Sequence, residues 1–285
     1  MFISELKDIW RETGFYPNKK LGQNFLIDAN IRNNILKLLE FGKESTVLEI
    51  GPGFGMMTFA IAEMCKKVYA IEKDKKICDA MKGRFEEKKN ITLVPADILH
   101  VDFRKFAGEN DKLIVYGNIP YSITSPIIEK IFTERKYVDK AYLVMQEEYA
   151  DRLAARPGSK DYSSITCFAQ YFSLVKKIMR IRSTAFLPRP AVNSFLVGII
   201  LKGDPYYSVD DEHVFFKIIR KSFNQRRKKI SNSLSDGDFL GIPKNTWCEM
   251  IVRSGINLFA RAEDISLSQY ATLANNVSKY LGRGA

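Results

Sequence analysis

Histidine is almost missing from this sequence of 285 residues, which includes two, His100 and His213. A histidine-based catalytic triad or a histidine-rich metal site therefore has too few candidates. Cysteine is also scarce, and the four cysteines form no C-x-x-C pair: Cys65, Cys78, Cys167 and Cys248. Their wide spacing argues against structural zinc and a disulfide framework, and it fits a reducing compartment. We expect chemistry that needs neither imidazole nor a metal ion.

Long apolar runs are absent as well. The longest, such as residues 195–201, are far shorter than the roughly 20 residues that cross a bilayer. The beginning of the chain carries Glu5, Asp8 and Glu12 rather than an apolar segment, so we expect no secretory signal or transit peptide. These absences predict a cytoplasmic protein without a membrane segment, and a monomer is the default expectation.

Acidic residues are outnumbered by basic ones. Lys and Arg total 44, Asp and Glu total 33, and the formal net charge is +11. Such an excess favours polyanionic partners, because phosphate groups are neutralised and counterions are released. The alternative is that the charge serves solubility alone.

Short β-rich runs alternate with helical patterns over the first two thirds of the chain. The predicted strands are residues 46–50, 67–72, 91–94, 112–116 and 141–145. Alternation of this kind predicts βαβ units and a mostly parallel sheet. Two further runs, 173–181 and 194–201, are joined by a loop too short for a crossover helix, which predicts an antiparallel pair. The expected fold is α/β, with a seven-stranded, mostly parallel Rossmann-like sheet.

The pattern changes after Gly203-Asp204-Pro205. Residues 210–230, 244–253 and 266–281 have helical patterns, and no convincing strand follows. We therefore expect one domain over residues 1–203 and a small all-helical domain over residues 204–285.

A glycine-rich turn follows the first predicted strand, in Glu49-Ile50-Gly51-Pro52-Gly53-Phe54-Gly55. Gly51 and Gly53 permit a tight turn that a ligand can approach closely. Glu72 ends the second strand 21 residues after Gly51, where an acid commonly binds ribose hydroxyls. The G-x-G-x-G spacing departs from the dinucleotide fingerprint, and Pro52 removes a donor that a pyrophosphate would use. The turn favours S-adenosylmethionine over a nicotinamide dinucleotide.

Asp97 follows the third predicted strand, beside the strand that ends at Glu72. Its carboxylate is suited to accept a hydrogen bond from the exocyclic amine of adenine. The alternative role is the N-cap of a helix.

Asn118-Ile119-Pro120-Tyr121 lies at the end of the fourth predicted strand, before a helical pattern at 125–132. Ligands of open α/β sheets bind at the carboxyl ends of the strands. An amide, a proline-fixed turn and an aromatic ring at that place favour gripping a planar amino group for alkylation. An ordinary strand-to-helix turn is the alternative, because Asn and Pro favour turns.

Several segments, taken together and in order, carry a resemblance to a known family. They are Lys20-Leu21-Gly22-Gln23-Asn24-Phe25-Leu26, residues 49–55, Asp97, residues 118–121, 145–148 and 155–162, and Phe186-Leu187-Pro188-Arg189-Pro190. Over nearly the whole chain, this combination resembles the ribosomal RNA adenine N6,N6-dimethyltransferase family. The resemblance implies S-adenosylmethionine as cofactor and ribosomal RNA, in the small ribosomal subunit or its precursor, as partner.

The same resemblance implies a set of cofactor-binding residues: Asn24, Leu26, Gly51, Glu72, Asp97 and Asn118. Gly53 belongs to the same glycine turn. Leu26 would contribute backbone atoms, and its alternative role is a core residue.

Two branches of the family stay open at this point. Segments 222–229 and 261–266 resemble the branch that dimethylates two adjacent adenosines near the 3′ end of small-subunit RNA. Asn193 departs from that branch, which usually has Asp there, and Asn is also seen in the large-subunit branch that confers macrolide resistance. A non-catalytic assembly factor is a further alternative, although Glu72, Asp97 and Asn118 together favour an enzyme. The Gly-Gln-Asn-Phe-Leu segment and the basic helical tail argue against DNA-adenine and protein-glutamine methyltransferases.

For catalysis, we expect Asn118 Oδ1 and the Ile119 carbonyl to accept the two N6 hydrogens of the target adenine. Pro120 would fix the turn, and Tyr121 would stack on one face of the extruded base. Phe186 would close the other face, and its alternative role is a loop aromatic that anchors the core.

For RNA binding, the densest basic cluster is predicted to lie on a helix with Phe216 and Phe223. Its members are Arg220, Lys221, Arg226, Arg227, Lys228 and Lys229, and Lys19 and Lys20 extend the prediction. These side chains would contact phosphates without reading sequence. The alternative is a solvated, charged face of a helix.

Overall fold

The computed structural model describes residues 3–18, 21–108 and 111–282. They divide into two compact units. The first unit takes the described residues up to Ala150 together with Leu174–Gly203. The second takes Asp151–Ser173 together with the described residues from Asp204 onward. The division at residue 203 that the sequence predicts coincides with one of these limits.

The strands of the described chain are short and mostly apolar. They are β1 (Phe25–Leu26), β2 (Thr46–Ile50), β3 (Lys67–Glu72), β4 (Ile91–Pro95), β5 (Leu113–Asn118), β6 (Val138–Gln146), β7 (Ser173–Ile181), β8 (Phe186–Leu187) and β9 (Ser194–Leu201). Val47, Leu48 and Val115 in β2 and β5 have no exposed surface. Burial on both faces is the reason that these strands read as apolar runs rather than as alternating ones.

Seven of these strands form one sheet with the order β4-β3-β2-β5-β6-β9-β7. The five neighbouring strands β4, β3, β2, β5 and β6 pair in parallel, and β9 runs antiparallel to β6. The predicted seven-stranded, mostly parallel sheet is therefore confirmed. The chain leaves β2 toward β3 and β4 and returns to β5 on the other side of β2. That reversal opens a crevice at the carboxyl ends of β2 and β5, where open α/β sheets bind ligands.

The helices of the described chain cover the sheet or form the second unit. They are α1 (Ile3–Thr13), α2 (Ala29–Leu38), α3 (Thr58–Ala62), α4 (Lys75–Glu86), α5 (Thr124–Thr133), α6 (Glu147–Leu153), α7 (Ser164–Phe172), α8 (Glu212–Asn224), α9 (Ile230–Leu234), α10 (Lys244–Arg253) and α11 (Leu267–Gly282). Aspartates cap three of them, because Asp28, Asp74 and Asp211 accept hydrogen bonds from N–H groups in the first turns of α2, α4 and α8.

A two-stranded sheet that the sequence did not predict fixes the beginning of the first unit. Strand β1 pairs antiparallel with β8, with Leu26 opposite Phe186. Four aromatic rings then pack together beside the glycine turn: Trp10, Phe15, Phe25 and Phe54, with centroids 5.0–6.2 Å apart. The segment between α1 and α2 is thereby held against the sheet.

Residues 151–173 belong to the second unit, whereas the sequence assigned them to the first domain. The reason is aromatic packing of α7 against α8. The Tyr171 and Phe215 rings lie 4.9 Å apart, and the Phe168 and Phe216 rings lie 5.2 Å apart. The sequence shows that a helix has an aromatic face, but it does not show which helix that face packs against. This part of the predicted domain boundary was therefore wrong.

Helix α8 ends at Asn224, whereas the sequence predicted a helix over 210–230. Residues 225–229 form a non-helical turn before α9, in which the Lys228 N–H donates to the Gln225 carbonyl. The Ser233 hydroxyl, from α9, donates to the carbonyls of Lys221 and Ser222. These carbonyls at the end of α8 find their partner across a turn, so the helix can stop there.

Among the described residues, no helix is long and apolar enough to cross a membrane.

Candidate active site

The glycine turn after β2 adopts backbone conformations that side chains rarely take. Gly51 has a φ of 66° and Gly53 has a φ of 54°. A Cβ atom at Gly53 would lie 3.0 Å from the Phe25 ring, whereas a Cβ at Gly51 would meet no atom within 4 Å. Gly53 therefore permits close packing of the segment before α2. Gly51 leaves open space beside the backbone, as a bound ligand requires.

Glu72 is fixed at the end of β3 by two backbone donors. The Gly53 N–H donates to Oε2 at 3.2 Å, and the Asp74 N–H donates to Oε1 at 2.8 Å. Burial raises the pKa of this carboxyl, and the two donors oppose that shift. Each oxygen of the carboxyl group retains acceptor capacity, so the predicted role of Glu72 toward ribose hydroxyls stays chemically open to it.

Asp97 has the N-cap role that was its alternative, and it also lies in the cavity lining, so its role toward an adenine amine stays a prediction. It caps the short 3₁₀ helix Ile98–His100 by accepting the Leu99 N–H at 3.0 Å, and it also lines the cavity. Its other oxygen accepts from Lys73 Nζ at 2.7 Å. Burial opposes ionisation of this carboxyl, but the Lys73 ammonium and the Leu99 N–H outweigh it, so the pKa of Asp97 is lowered.

These elements surround a cavity of about 240 Å³ in the first unit. Its lining includes the predicted cofactor residues Asn24, Leu26, Gly51, Gly53, Glu72, Asp97 and Asn118. The ionisable groups of Asp, Glu and Lys among its described lining residues are three carboxyl groups and one ammonium, which belongs to Lys73. An acceptor-rich cavity repels a pyrophosphate and suits a ligand rich in donors. S-adenosylmethionine, with its ribose hydroxyls, adenine amine and ammonium, fits this set.

Gln23 is a residue that the sequence reasoning did not single out. Its Nε2 donates to Asp74 Oδ2 at 2.7 Å, and its Oε1 accepts from the Asn18 N–H at 2.7 Å. Because the Asp74 N–H holds Glu72, Gln23 links residues 21–26, which line the cavity and are called the segment over the cavity below, to Glu72. The sequence signal that could have identified Gln23 is its position between Gly22 and Asn24 in the Gly-Gln-Asn-Phe-Leu segment.

Asn118 is oriented by the same segment. Its Nδ2 donates to the Asn24 carbonyl at 2.8 Å. A carbonyl accepts and cannot donate, so the amino end of the amide must face Asn24. Oδ1 is therefore the end that is available to accept a hydrogen bond from a ligand at the carboxyl end of β5.

The residues after Asn118 are held by the sheet and by β9. The Ile119 N–H donates to the Val144 carbonyl at 3.1 Å, and Ile119 is buried. The Tyr121 hydroxyl is 3.0 Å from Ser194 Oγ. Pro120 lines the cavity, whereas Ile119 and Tyr121 do not. The turn is thus anchored at both ends, with its proline beside the cavity.

Phe186 does not occupy the predicted stacking position. The residue is 3% exposed, packs in the hydrophobic core and is not among the residues that line the cavity. Pairing of β8 with β1 fixes its backbone and directs the ring into the core. The structure displays the core role that was the alternative, and the role as a second wall for the base stays a prediction. Leu26 is buried too, yet it does line the cavity.

Glu49 is a second residue that the sequence reasoning did not select. It is 2% exposed, lines the cavity, and its Oε2 has no hydrogen-bond partner among the described residues. Burial, reinforced by the charge of Glu72, raises the pKa of Glu49 to about 8. Its neighbour in β5, Tyr116, is likewise buried. Burial therefore favours the protonated form of this carboxyl, in a residue that belongs to the cavity lining.

Asn193, the departure from the small-subunit pattern, has a structural role. Its Oδ1 accepts the Ser183 N–H at 3.1 Å. A carboxylate could accept the same hydrogen bond, so Asn in place of Asp here does not bear on the choice between the branches.

In the second unit, the predicted basic residues differ in their surroundings. Arg226 Nη2 donates to Glu263 Oε2 at 2.6 Å and to the Lys160 carbonyl at 2.7 Å. Lys228 Nζ is 3.7 Å from Asp236 Oδ2, and Lys221 is half-buried. Arg220, Arg227 and Lys229 are exposed. Lys19 and Lys20 lie outside the described residues.

The Arg226 contacts join three segments that carried the family resemblance. Residues 155–162, 222–229 and 261–266 meet at this arginine, and the Gly158 N–H also donates to the Glu263 carbonyl at 2.7 Å. Arg226 therefore stabilises the second unit. The sequence predicted only a phosphate contact for this arginine, not this structural role.

In the described part of the chain, no group of three or more His, Cys, Asp or Glu side chains is placed to hold a metal ion.

This sheet order, the acceptor-rich cavity at its reversal point and the oriented Asn-x-Pro-Tyr turn define a nucleoside-cofactor methyltransferase that acts on an amino group. The family model for ribosomal RNA adenine dimethylase matches residues 14–279. The chain belongs to this family, and it is an S-adenosylmethionine-dependent rRNA adenine methyltransferase.

Relatives and solved structures agree with that assignment. Proteins named ribosomal RNA small subunit methyltransferase A from Bacillus mycoides and Bacillus anthracis are 38% identical over 275 residues, which is 94% of each chain. A dimethyladenosine transferase from Plasmodium falciparum has a TM-score of 0.78 at 23% identity, covering 91% of this chain and 98% of that one. The 23S rRNA methyltransferase ErmE has a TM-score of 0.69 at 22% identity, covering 89% and 99%. These two structures establish the fold alone.

The Gln23 contacts generate a first prediction. Gln23→Ala removes two hydrogen bonds that hold the segment over the cavity, so S-adenosylmethionine should bind about ten-fold more weakly. Isothermal titration of the purified protein measures the affinity. Asn30→Ala, an exposed amide at the start of α2, serves as control. An affinity of Gln23→Ala within two-fold of the parent would contradict the role.

Glu49 generates a second prediction, concerning pH. Its pKa is raised in the folded state to about 8 from the ordinary value of 4.5. Between these values the folded protein binds a proton that the unfolded chain has lost, so the free energy of unfolding should fall as pH rises from about 5 to about 8. Glu49→Gln keeps the shape without the titration and should make that fall shallower in urea unfolding.

The control for this measurement is Glu63→Gln, since Glu63 is exposed. Its pH dependence should match that of the parent protein. A steep fall that persists unchanged in Glu49→Gln would show that Glu49 is not the responsible group.

Proposed function

We propose that this enzyme transfers methyl groups from S-adenosylmethionine to N6 of two adjacent adenosines near the 3′ end of small-subunit (16S) ribosomal RNA, during ribosome assembly. The observation that carries the proposal is the orientation of Asn118, whose Nδ2 is engaged by the Asn24 carbonyl. Oδ1 is thereby available as an acceptor beside the cofactor cavity, where a target amine must be held.

The chemical problem is the low nucleophilicity of the adenine amine, whose lone pair is delocalised into the ring. Asn118 Oδ1 and the Ile119 carbonyl accept the two N6 hydrogens, which favours a more tetrahedral nitrogen with a localised lone pair. S-adenosylmethionine supplies an electrophilic methyl group when it is bound. The protein contributes position and electrostatics rather than a strong base.

Pro120 and Gly22 keep the acceptors in place. Pro120 has a φ of −60° and no N–H, so the turn cannot form an alternative hydrogen bond there. A Cβ at Gly22 would lie 3.2 Å from Pro120 Cβ, which means that Gly22 backs the proline closely. A rigid turn lowers the entropy cost of aligning the amine.

Tyr121 is the stacking surface for the extruded adenine. Its hydroxyl contact with Ser194 fixes the ring edge, and burial raises the pKa of the hydroxyl, so the ring is neutral. Stacking on a neutral ring suits a base without reading its sequence context. With Phe186 in the core, the chain offers one aromatic wall from the predicted pair.

The small subunit is favoured as the substrate by the relatives. Proteins named for the small subunit match this chain at 38% identity over 94% of its length. The large-subunit enzyme of macrolide resistance is the second candidate, and the fold likeness to ErmE at 22% identity does not favour it. A non-catalytic assembly factor is disfavoured because Glu72, Asp97 and Asn118 are all in place.

Ribosomal RNA is the partner that the charge of +11 supports. Arg220 and Arg227 are exposed candidates for phosphate contact in the second unit. A cytoplasmic location and a monomeric state remain predictions from the sequence.

Asn118→Ala tests the catalytic role. Loss of the oriented acceptor should lower methyl transfer to unmethylated small ribosomal subunits at least 100-fold, because one preorganised hydrogen-bond partner contributes about that factor. Binding of the subunits should stay nearly unchanged. Transfer is measured with labelled cofactor and mapped to the modified base.

Asn33→Ala, an exposed amide on α2, is the control and should retain full activity. Large subunits serve as a parallel substrate. Activity of Asn118→Ala above a tenth of the parent would contradict the catalytic role, and methylation confined to large subunits would contradict the substrate.

Arg220→Glu with Arg227→Glu tests the RNA surface. The double variant should bind subunits more weakly and lower the slope of log affinity against log salt by about one to two, since each lost phosphate contact removes nearly one ion. Filter binding over a salt series measures the slope.

The matched control is Lys88→Glu with Lys136→Glu, which changes the charge equally. Both lysines are exposed and precede β4 and β6, at the sheet edge opposite the cavity. An equal loss in both double variants would mean that total charge, rather than this surface, governs binding.

A further inference from the structure

Phe259 is an aromatic side chain that the second unit leaves in solvent. The residue is 69% exposed, more than any other phenylalanine among the described residues. A single exposed apolar residue is ordinary by itself. The fixed backbone beneath Phe259 and the cations beside its ring distinguish it from such a residue.

The backbone under Phe259 is fixed rather than loose. The Ala260 N–H donates to the Asn257 carbonyl, and the Phe259 N–H donates to Asn257 Oδ1, both at 2.9 Å. The Ile230 N–H donates to the Ala260 carbonyl at 2.8 Å, and Ser231 Oγ donates to the Leu258 carbonyl at 2.9 Å. Residues 257–260 therefore form a closed turn tied to the start of α9. The ring is presented on a preorganised support.

A cation lies against the ring. Lys229 Nζ is 4.4 Å from the centroid of Phe259, within the range of a cation–π contact. Lys229 ends the basic segment Arg226–Lys229, and Arg261 follows the turn two residues after Phe259. Arg227 and Arg261 are exposed as well. The exposed ring therefore lies, along the chain, between the basic segment Arg226–Lys229 and Arg261.

We propose that Phe259 and Lys229 form a stacking platform for an unpaired base of the RNA substrate. The ring stacks on the base, and Lys229 with the neighbouring arginines contacts the flanking phosphates. Interleaved aromatic and basic side chains of this kind bind single-stranded nucleic acid. The inference rests on the proposed function, which supplies RNA as the partner, and it adds a base contact in the second unit that is separate from the target adenine.

The chemistry favours an RNA base over other occupants. A protein interface needs on the order of 1,000 Å² with an apolar centre, and one ring among cations does not provide it. Insertion into a lipid surface needs an extended apolar face on a helix, whereas Phe259 lies on a turn. A nucleobase needs one ring face and nearby positive charge, and both are present.

Two substitutions at Phe259 test the platform. Phe259→Leu retains an apolar side chain without the aromatic face, and Phe259→Trp enlarges that face. Affinity for a short single-stranded RNA carrying 2-aminopurine should fall about five-fold or more in Phe259→Leu and should be kept in Phe259→Trp. The salt slope should be unchanged in both, because no charge is removed. Binding and base stacking are followed together by anisotropy and 2-aminopurine quenching.

Tyr206→Leu is the matched control, since Tyr206 is 61% exposed and lies between Asp204 and Asp210 rather than among cations. It should bind RNA like the parent. Equal affinity and quenching for Phe259→Leu and the parent would overturn the platform. The platform is also overturned if Phe259→Leu lowers binding to anionic vesicles, or self-association, while RNA binding stays intact.

Failure of the proposed function would look different. Methyl transfer by the parent protein to unmethylated small subunits tests that function independently of Phe259. Weaker RNA binding by Phe259→Leu in a protein that methylates no small subunit would retain the platform and reject the substrate. Full methylation with unchanged binding by Phe259→Leu would retain the substrate and reject the platform.

Discussion

The hydrogen bond from Asn118 Nδ2 to the Asn24 carbonyl is the interaction on which the site depends. It decides which end of the amide faces a ligand, and it fastens the segment over the cavity to the end of β5. Gly22 and Gln23, the preceding residues of that segment, contact Pro120 and Asp74. One short segment thus touches both the residues that hold Glu72 and the turn after β5. A shift of this segment would disturb both sites together, because the same backbone supports them.

Carboxyl groups predominate in the cavity of this basic protein, whereas exposed basic side chains are found in its second unit. The described lining of the cavity has three carboxyl groups and one ammonium, and burial raises the pKa of Glu49. Acceptors there match a donor-rich cofactor and disfavour a pyrophosphate. In the second unit, Arg220, Arg227, Lys229 and Arg261 face solvent, where they suit phosphate. In the function we propose, the buried acceptors select S-adenosylmethionine and the exposed cations attract ribosomal RNA. Solvent and salt screen charges weakly inside the protein and strongly at its surface.

The structure differs from the sequence expectations in three places, for related reasons. Phe186 packs in the core because β8 pairs with β1, and two-residue strands leave no periodic signal in a sequence. Residues 151–173 join the second unit because the aromatic face of α7 packs against α8. Helix α8 stops at Asn224 because Ser233 satisfies carbonyls in its last turn. Each outcome depends on a partner distant in the chain, which propensity and spacing cannot identify.

The sequence by itself determined the α/β class, the strand positions near the site, the methyl donor and the family. The class, the strand positions and the methyl donor follow from local patterns: apolar runs, a glycine turn with Pro52, and an Asn-x-Pro-Tyr turn after a strand. The family followed from the resemblance of several segments along nearly the whole chain. Tertiary structure alone decided which end of Asn118 faces the ligand, and that Gln23 links the segment over the cavity to Asp74. It also decided that Glu49 is buried and that its Oε2 has no hydrogen-bond partner among the described residues. Hydrogen-bond direction and burial are properties of neighbours in space, and the order of residues along a chain does not contain them.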